Sequence, residues 1–329
     1  MQNTELGGWS RRKGEASQAA ADSPFFESHN PAVTALLDVA KRAAMGHTTL
    51  LLTGESGSGK DVLAHRIHQW SSRRDGPFIL INCTALTEQL LESELFGHVR
   101  GAFTGAVRDK PGRLEAAGGG TVFFDEIAEL SSSIQTRLLR FMQEQALERI
   151  GDNQTVTVDA RIIAATHHDL EEEVAARRFR EDLYYRLNVI SMRLPPLRER
   201  IEDIRDLASS MLEAIAMRTQ RPMSRLSPDA VRALLDYQWP GNIRELRNAL
   251  ERAVALARTD VITLEDLPDK ISRGISPFAK SSHGTRLRER EREYIMRVLA
   301  ESASLDQAAA TLGINVTTLW RKRKRYGIC

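Results

Sequence analysis

The sequence has little cysteine and no long apolar run. Its two cysteines, Cys83 and Cys329, cannot form a disulfide framework. No apolar stretch approaches the ~18 residues that a membrane span requires, and the first residues lack the apolar core of a signal peptide. These absences exclude a disulfide-rich secreted domain and a membrane protein. They predict a protein of the reducing cytoplasm.

The sequence also lacks a large excess of charge of either sign. Its 46 Lys and Arg residues oppose 44 Asp and Glu residues, which leaves a formal charge of only +2. The charges are unevenly distributed, however. Residues 286–329 contain ten basic and five acidic residues, whereas the remainder contains 36 and 39. A basic segment after a mildly acidic body predicts a separate module with a polyanionic partner, and the alternative is a solvated helix face.

Hydrophobic periodicity divides the chain into five segments. Residues 1–24 are polar and have no hydrophobic period, which predicts a disordered leader. Over residues 25–195, strand-like runs alternate with helical segments and predict an α/β domain with a parallel sheet covered on both faces. Residues 196–268 predict a helical lid subdomain without strands. Residues 269–285 break every period and predict a linker, and residues 286–329 predict a final all-α domain.

The expected elements follow from these periods. The strand-like runs are residues 48–53, 78–82, 121–124, 160–166 and 188–194. In the lid, helices are expected over residues 202–218, 227–237, 242–257 and 264–267.

A glycine-rich turn follows the first expected strand and opens a helix. The turn consists of Gly54, Glu55, Ser56, Gly57, Ser58, Gly59 and Lys60, and Asp61 follows it. In such a P-loop the glycines let backbone N–H groups surround phosphates, the helix N-terminus favours anions, and the lysine reaches the β- and γ-phosphates. An ordinary Gly/Ser turn is the alternative, but the strand and helix around the motif favour a nucleotide site.

Two carboxylates, Asp125 and Glu126, end a later apolar strand. Asp125 suits coordination of Mg²⁺, and Glu126 suits orientation of an attacking water. Acidic residues often simply end a strand. Together with a P-loop, however, the pair predicts hydrolysis of ATP.

A third motif, the hexapeptide GAFTGA, lies between the other two. It consists of Gly101, Ala102, Phe103, Thr104, Gly105 and Ala106. An apolar side chain on a glycine-flanked loop suits transient contact with a partner, whereas the alternative is a turn whose phenylalanine packs into the core. The chance of this hexapeptide in such a chain is on the order of 10⁻⁵, so the motif is specific.

With these motifs the sequence resembles the sigma-54-dependent bacterial transcription activators, which are enhancer-binding proteins of the AAA+ superfamily. The resemblance extends from about Pro24 to Ile328. It implies an AAA+ domain over residues 25–268 that uses ATP and Mg²⁺. It also implies that the GAFTGA loop contacts sigma-54 in the RNA polymerase holoenzyme and that hydrolysis drives remodelling to the open complex. The family forms hexamers, sometimes heptamers, and the sequence leaves open whether a paralogous subunit joins the ring.

The resemblance also implies roles for individual residues. Asn82 matches the family's switch asparagine, which holds the catalytic glutamate and couples the nucleotide state to the loop. Arg180 and Arg186 match its arginine-finger segment, in which a guanidinium from a neighbouring subunit neutralises charge on the transferring phosphoryl group. From spacing alone, surface salt bridges are the alternative for these arginines. Arg244 matches the family's second sensor.

Two features qualify the resemblance. In the family an acidic residue commonly follows the P-loop lysine, so Asp61 implies a magnesium shell that need not include a hydroxyl. Most relatives begin with a receiver or ligand-sensing domain, for which residues 1–24 are too few. We therefore expect control by abundance or by a partner in trans, unless the sequence lacks the start of a longer chain.

The basic segment has the pattern of a helix-turn-helix. A small-residue helix and a basic helix are expected to meet at Gly313. The segment also resembles the Fis-type DNA-binding domain of the same activators, which dimerises on inverted repeats, and residues 286–299 would form the dimer. The residues expected to pack together are Ala308, Ala309, Leu312 and Leu319, and core packing is expected for Trp320 as well.

Contacts with double-stranded enhancer DNA are expected from the basic helix. Thr317, Thr318 and Arg321 share an early outward face that suits base edges. The side chains suited to phosphates are Lys322, Arg323, Lys324 and Arg325.

The leading interpretation is an ATP-driven activator that binds enhancer DNA and remodels the sigma-54 holoenzyme. One alternative is a DNA-binding regulator whose AAA+ domain serves assembly, and the intact hexapeptide disfavours it. The other is a general AAA+ remodeller or helicase whose basic tail anchors the ring. That alternative leaves Phe103 and Thr104 unexplained.

His167 occupies the position at which the family's first sensor usually has asparagine. An imidazole forms hydrogen bonds but titrates near neutrality. We therefore predict a shallow pH dependence of ATP hydrolysis across the neutral range, which His167→Asn flattens. Steady-state ATPase rates of the two proteins over that range test the prediction, and superimposable profiles would contradict it.

Overall fold

The computed structural model describes residues 28–220, 222–273, 295–296, 298–299, 302 and 304–326. The chain divides between Pro268 and Asp269 into two compact units, and each is described by itself. The leader expected over residues 1–24 lies outside the described residues. So do residues 274–285 of the expected linker and most of the expected dimer-forming segment.

Short strands and medium-length helices alternate in the first unit. In chain order the strands are β1 (Leu50–Thr53), β2 (Phe78–Asn82), β3 (Gly97–His98), β4 (Lys110–Pro111), β5 (Thr121–Asp125), β6 (Ala146–Glu148), β7 (Thr155–Thr157), β8 (Arg161–Thr166), β9 (Ile190–Arg193), β10 (Arg225–Leu226) and β11 (Val261–Ile262). The helices of this unit are α1 (Pro31–Ala44), α2 (Lys60–Trp70), α3 (Glu88–Phe96), α4 (Ser132–Glu144), α5 (Leu170–Ala175), α6 (Glu181–Leu187), α7 (Ile204–Thr219), α8 (Pro228–Asp236) and α9 (Asn242–Leu256).

The central sheet has five strands in the order β2-β5-β8-β1-β9, and every neighbouring pair is parallel. Alternate side chains point to opposite faces, as a pleated strand requires. Leu50 and Leu52 pack in the hydrophobic cluster that includes α1 and α2, whereas Leu51 packs in the cluster that includes α3, α4 and α6. The sheet is thus covered on both faces, and the predicted fold class is confirmed.

The lid follows the sheet and consists mainly of α7, α8 and α9. The expectation that it has no strands is wrong, because β10 and β11 form a short parallel pair. The helix expected over residues 264–267 is also wrong. That segment is a turn in which Asp266 Oδ2 accepts hydrogen bonds from Thr263 N at 2.7 Å and Thr263 Oγ1 at 2.9 Å. Such side-chain bonds to the backbone compete with helix formation.

The second unit begins with one helical turn, α10 (Asp269–Ser272), at the start of the segment expected to be a linker. Its described C-terminal part contains α11 (Leu305–Thr311) and α12 (Val316–Tyr326). Gly313 lies between them with a φ of +66°, in the left-handed region that favours glycine. Ala308, Ala309, Leu312 and Leu319 belong to one hydrophobic cluster, so the packing expected for the helix-turn-helix is confirmed.

Among the residues that the structure describes, no helix is both long enough and apolar enough to cross a membrane.

His68, on α2, yields a prediction about acid stability. It is buried, with Nδ1 3.0 Å from Thr121 Oγ1, and burial lowers the pKa of His68 from 6.5 to about 4. The folded protein therefore binds fewer protons than the unfolded chain between these values, and the free energy of unfolding falls as the pH drops through that window. His68→Gln should reduce the loss of unfolding free energy between about pH 7.5 and pH 5 by roughly 1–2 kcal/mol.

Urea unfolding at the two pH values measures this loss. His47→Gln, which changes an exposed histidine, is the matched control. An unchanged pH dependence in His68→Gln would show that the buried imidazole does not carry it.

Candidate nucleotide site and interaction surfaces

The P-loop connects β1 to α2 at the carboxyl edge of the sheet. Gly57 and Gly59 have φ values of +75° and +101°, which a side chain disfavours. A Cβ at Gly57 would lie 2.6 Å from Gly241 O, so the lid approaches the loop closely there. The loop thus brings its backbone N–H groups to the N-terminus of α2, where an anion is favoured.

Lys60 is the buried cation of this site, with a side chain only 5% exposed. Its Nζ donates hydrogen bonds to Gly54 O at 2.8 Å and Glu55 O at 3.2 Å, and lies 4.0 Å from Glu126 Oε1. Burial lowers the pKa of Lys60, while the carboxylates of Glu126 and Asp125 oppose that shift. Phosphate oxygens are suitable partners for an ammonium group held in this way.

Other groups around the loop also fit a triphosphate with Mg²⁺. Ser58 Oγ is buried and has no hydrogen-bond partner among the described residues. Asp125 ends β5 in register with Asn82 of β2, and burial and then Glu126 raise the pKa of Asp125. A cation near Asp125 would offset both effects. One carboxylate together with phosphates and water is a usual environment for Mg²⁺.

Glu126 is held by His167 rather than by Asn82. Its Oε2 accepts hydrogen bonds from His167 N at 3.1 Å and lies 2.6 Å from His167 Nδ1. Glu126 also has a φ of +58°, a strained conformation for a non-glycine residue. Asn82 Oδ1 instead accepts from Thr84 N at 2.9 Å and Thr84 Oγ1 at 2.7 Å. In this conformation the structure does not bring the Asn82 side chain to Glu126.

The lid reaches the P-loop through the first residues of α9. Arg244 Nη1 donates to Ser56 Oγ at 2.9 Å, so the expected second-sensor arginine lies at the loop. Asn242 and Arg198 both donate hydrogen bonds to Glu55, although neither was among the predicted site residues. Their signal in the sequence is weak, because Asn242 stands out only by its position two residues before Arg244.

Arg180 and Arg186 are exposed and bond to groups away from their own P-loop. The Arg180 guanidinium donates to both carboxylate oxygens of Asp182, at 3.0 and 2.7 Å, and Arg186 Nη2 donates to Met142 O at 3.0 Å. The Arg180 backbone is fixed from inside, because its N–H donates to Oε1 of the fully buried Gln135 at 2.9 Å. Gln135 was likewise not among the predicted site residues.

The GAFTGA loop lies between the antiparallel strands β3 and β4. Gly101 N donates to Ala106 O at 2.9 Å and closes the hexapeptide. Phe103 is half-buried, and its ring contacts that of His98 edge-on with centroids 5.0 Å apart, while Thr104 is exposed. The loop therefore presents its tip to solvent, with Phe103 resting on His98 rather than in the core.

The candidate DNA-binding helix is α12. Thr317, Arg321 and Lys324 are exposed, Thr318, Lys322 and Arg323 are half-buried, and the Arg325 side chain lies outside the description. The expected core packing of Trp320 is wrong. Trp320 is 58% exposed, and Lys324 Nζ lies 5.5 Å from the centre of its ring. The core position is taken by the preceding Leu319, so the next residue along the helix points outward.

A P-loop on a parallel sheet, a helical lid that bonds to it and a separate helix-turn-helix define an AAA+ ATPase domain joined to a DNA-binding domain. Family models match in the same order. Residues 26–193 match the sigma-54 interaction domain, residues 198–283 the AAA+ ATPase lid domain, and residues 286–326 the Fis family of bacterial regulatory proteins. The chain belongs to the sigma-54-dependent transcriptional regulators.

Named relatives agree with this family. The chain is 48% identical over 303 residues to the alginate biosynthesis transcriptional regulatory protein AlgB of Pseudomonas aeruginosa. The aligned residues cover 92% of this chain and 68% of AlgB. It is 47% identical over 301 residues to the transcriptional regulatory protein ZraR of Klebsiella oxytoca. Here the aligned residues cover 90% of this chain and 68% of ZraR. The chain thus spans about two thirds of each relative.

Solved structures of NtrX from Brucella abortus have the same fold. The complex with ADP superimposes with a TM-score of 0.71 at 31% identity, and covers 97% of this chain and 73% of that one. The complex with ATP gives a TM-score of 0.70 at 32% identity, with the same coverage.

Proposed function

We propose that this chain is an ATP-dependent transcriptional activator that binds enhancer DNA through α12. ATP hydrolysis in its AAA+ domain remodels the sigma-54 RNA polymerase holoenzyme into the open complex. The observation that carries the proposal is the solvent-exposed GAFTGA tip on the same domain as the buried P-loop lysine. The interpretation as a general remodeller does not explain that tip, and a domain that serves only assembly does not explain the carboxylate pair of Asp125 and Glu126.

In the proposed hydrolysis, Lys60 and the P-loop N–H groups bind and orient the phosphates. Mg²⁺, held by Asp125, supplies positive charge that neutralises the phosphates when bound. Glu126 orients the attacking water, and His167 fixes the direction of that carboxylate through the 2.6 Å contact. Asn82 remains the proposed switch residue, and its side chain turns from Thr84 to Glu126 in another nucleotide state.

The proposed arginine fingers act on a neighbouring subunit. Arg180 and Arg186 are exposed and bond away from their own P-loop, which supports a role in trans. Such a role requires a closed ring, and we propose a hexamer in which a paralogous subunit is able to take a place. The proposed partner is the sigma-54 RNA polymerase holoenzyme at a promoter, so we propose that the assembly acts in the cytoplasm.

Lys60→Ala and Glu126→Gln should lower ATP hydrolysis and sigma-54-dependent open-complex formation by at least about 10²-fold, because Lys60 binds the phosphates and Glu126 orients the attacking water. Phe103→Ala should keep ATP hydrolysis within about twofold and abolish open-complex formation. Transcription in vitro from a sigma-54 promoter, measured beside ATPase rates, tests both expectations.

Val107→Ala is the matched control for the loop. Val107 is also apolar, lies just beyond the hexapeptide and is 82% exposed, but the proposal gives it no contact with sigma-54. It should leave both readouts near wild type. Full open-complex formation by Phe103→Ala, or activation that needs no sigma-54, would refute the proposed function.

On α12, Arg321→Ala should relax sequence preference by the ~1–3 kcal/mol of one base contact, whereas Lys324→Ala should weaken binding to all sequences and reduce the salt slope by about 1. Binding to specific and random duplexes at several salt concentrations measures both effects. Arg321→Lys is the control, because it keeps the charge but not the planar fork that reads a base edge. The same loss of discrimination in Arg321→Ala and Lys324→Ala would contradict the assigned faces.

A further inference from the structure

The lid helix α9 begins against the P-loop, and its first residue, Asn242, is fully buried there at 0% exposure. Asn242 Oδ1 accepts a hydrogen bond from Leu197 N at 2.7 Å. Its Nδ2 donates to Glu55 Oε2 and to Ser56 O, both at 3.1 Å. One amide therefore bonds to the turn that leads into the lid, to a P-loop side chain and to the P-loop backbone.

The Glu55 carboxylate that Asn242 contacts has a second partner. Arg198 donates two hydrogen bonds to it, at 2.8 and 2.6 Å, from the short helical turn Leu197–Glu199 between the sheet and the lid. These bonds, with Arg198 first and Asn242 adding to it, lower the pKa of Glu55 against the opposing effect of burial. The P-loop acid is thus fixed as a carboxylate between the linking turn and the lid helix.

The backbones of the P-loop and the lid approach each other closely beside this contact. Ile243 N donates to Gly57 O at 3.0 Å, and a Cβ at Gly57 would lie 2.6 Å from Gly241 O. Asn242 itself has a φ of +52°, a conformation that asparagine tolerates better than most side chains. The position therefore requires both a left-handed backbone and an amide with two donors and one acceptor.

We infer that Asn242 is a positioning residue for nucleotide binding, which holds the lid on the P-loop so that the loop carbonyls and Arg244 keep a fixed relation. This inference rests on the proposed ATPase function and deepens it. Asn242 bonds to Ser56 O, the carbonyl that follows Glu55 O, and Glu55 O is a partner of Lys60 Nζ at 3.2 Å. Movement of this stretch of backbone therefore shifts Glu55 O, to which the phosphate-binding Lys60 donates a hydrogen bond.

Asn242→Asp is the decisive variant, because it keeps the shape and the acceptor for Leu197 N. It replaces both donors with an oxygen that faces the Glu55 carboxylate and Ser56 O. In the full chain without nucleotide, hydrogen exchange at the amides of Leu197 and Ile243 should become roughly tenfold faster. The Kd of a fluorescent ATP analogue, with Mg²⁺ present, should rise roughly tenfold, and kcat at saturating ATP should change less than about threefold.

Gln135→Glu is the matched control for the cost of burying a carboxylate. The Gln135 amide is also 0% exposed, and it also makes two donated bonds and one accepted bond. Its partners Leu130, Arg178 and Arg180 lie outside the P-loop, so Gln135→Glu should lower the unfolding midpoint without changing exchange at Leu197 and Ile243 in the protein without nucleotide.

Rescue and an independent variant complete the test. In Glu55→Gln/Asn242→Asp, the new amide on residue 55 is able to donate to the new carboxylate, so part of the lost affinity should return.

Arg198→Gln alters a side chain that is 37% exposed, so it provides a well-folded variant if Asn242→Asp fails to fold. It should weaken analogue binding in the same direction and be less than additive with Asn242→Asp.

Wild-type affinity and wild-type exchange in Asn242→Asp, or in Arg198→Gln if the former fails to fold, would overturn the inference. So would equally faster exchange at Leu197 and Ile243 in Gln135→Glu. The exchange measurement uses protein without nucleotide and does not involve sigma-54. Failure of the transcription assay would therefore refute the proposed function while leaving the result for Asn242 intact.

Discussion

The burial of one ammonium group, that of Lys60, is the constraint on which the nucleotide site depends. A buried cation is costly unless polar groups surround it. Two P-loop carbonyls and the Glu126 carboxylate do so here. Parallel strands bring those groups together, because the carboxyl ends of β1, β5 and β8 lie side by side in the sheet. The strand order thus decides which side chains meet the lysine. His167 follows β8, the neighbour of β1, and Glu126 follows β5, the next strand beyond β8.

Local patterns predicted most of the fold, and contacts distant in sequence decided what they missed. The five central strands lie in the apolar runs that alternate with helical segments along the sequence. The P-loop was predictable because its strand, glycines and lysine are contiguous in the sequence. The bond between Asn242 and Glu55 joins residues 187 positions apart, which no periodicity can indicate. The contact of His167 with Glu126 depends on the pairing of β5 with β8. The helix expected over residues 264–267 failed for a local reason, because the Asp266 carboxylate accepts the backbone N–H of Thr263.

The path from the sheet to the GAFTGA loop is short. Asn82 ends β2, α3 follows within six residues, and β3 and β4 then frame the loop. Glu94, on α3, forms ion pairs with Lys110 and Arg113, so the base of the loop is tied to that helix. A single helix, α3, therefore connects the end of β2 to the base of the loop. Phe103 is half-buried against the ring of His98 and does not belong to the buried core.

Burial separates the side chains that hold the structure of the AAA+ domain from those that are proposed to act on other molecules. Lys60 and Asn242 are buried and bond to groups of the P-loop, and Gln135 is buried and bonds to the backbone near Arg180. Arg180, Thr104 and Arg321 are exposed, so contact with a second molecule requires little desolvation of neighbouring groups. Gln135 connects the two classes, because a buried amide holds the backbone of an exposed arginine. The role proposed for Arg180 on a neighbouring subunit thus starts from a backbone held by Gln135 and a guanidinium bonded to Asp182, and both fix the direction of an exposed side chain.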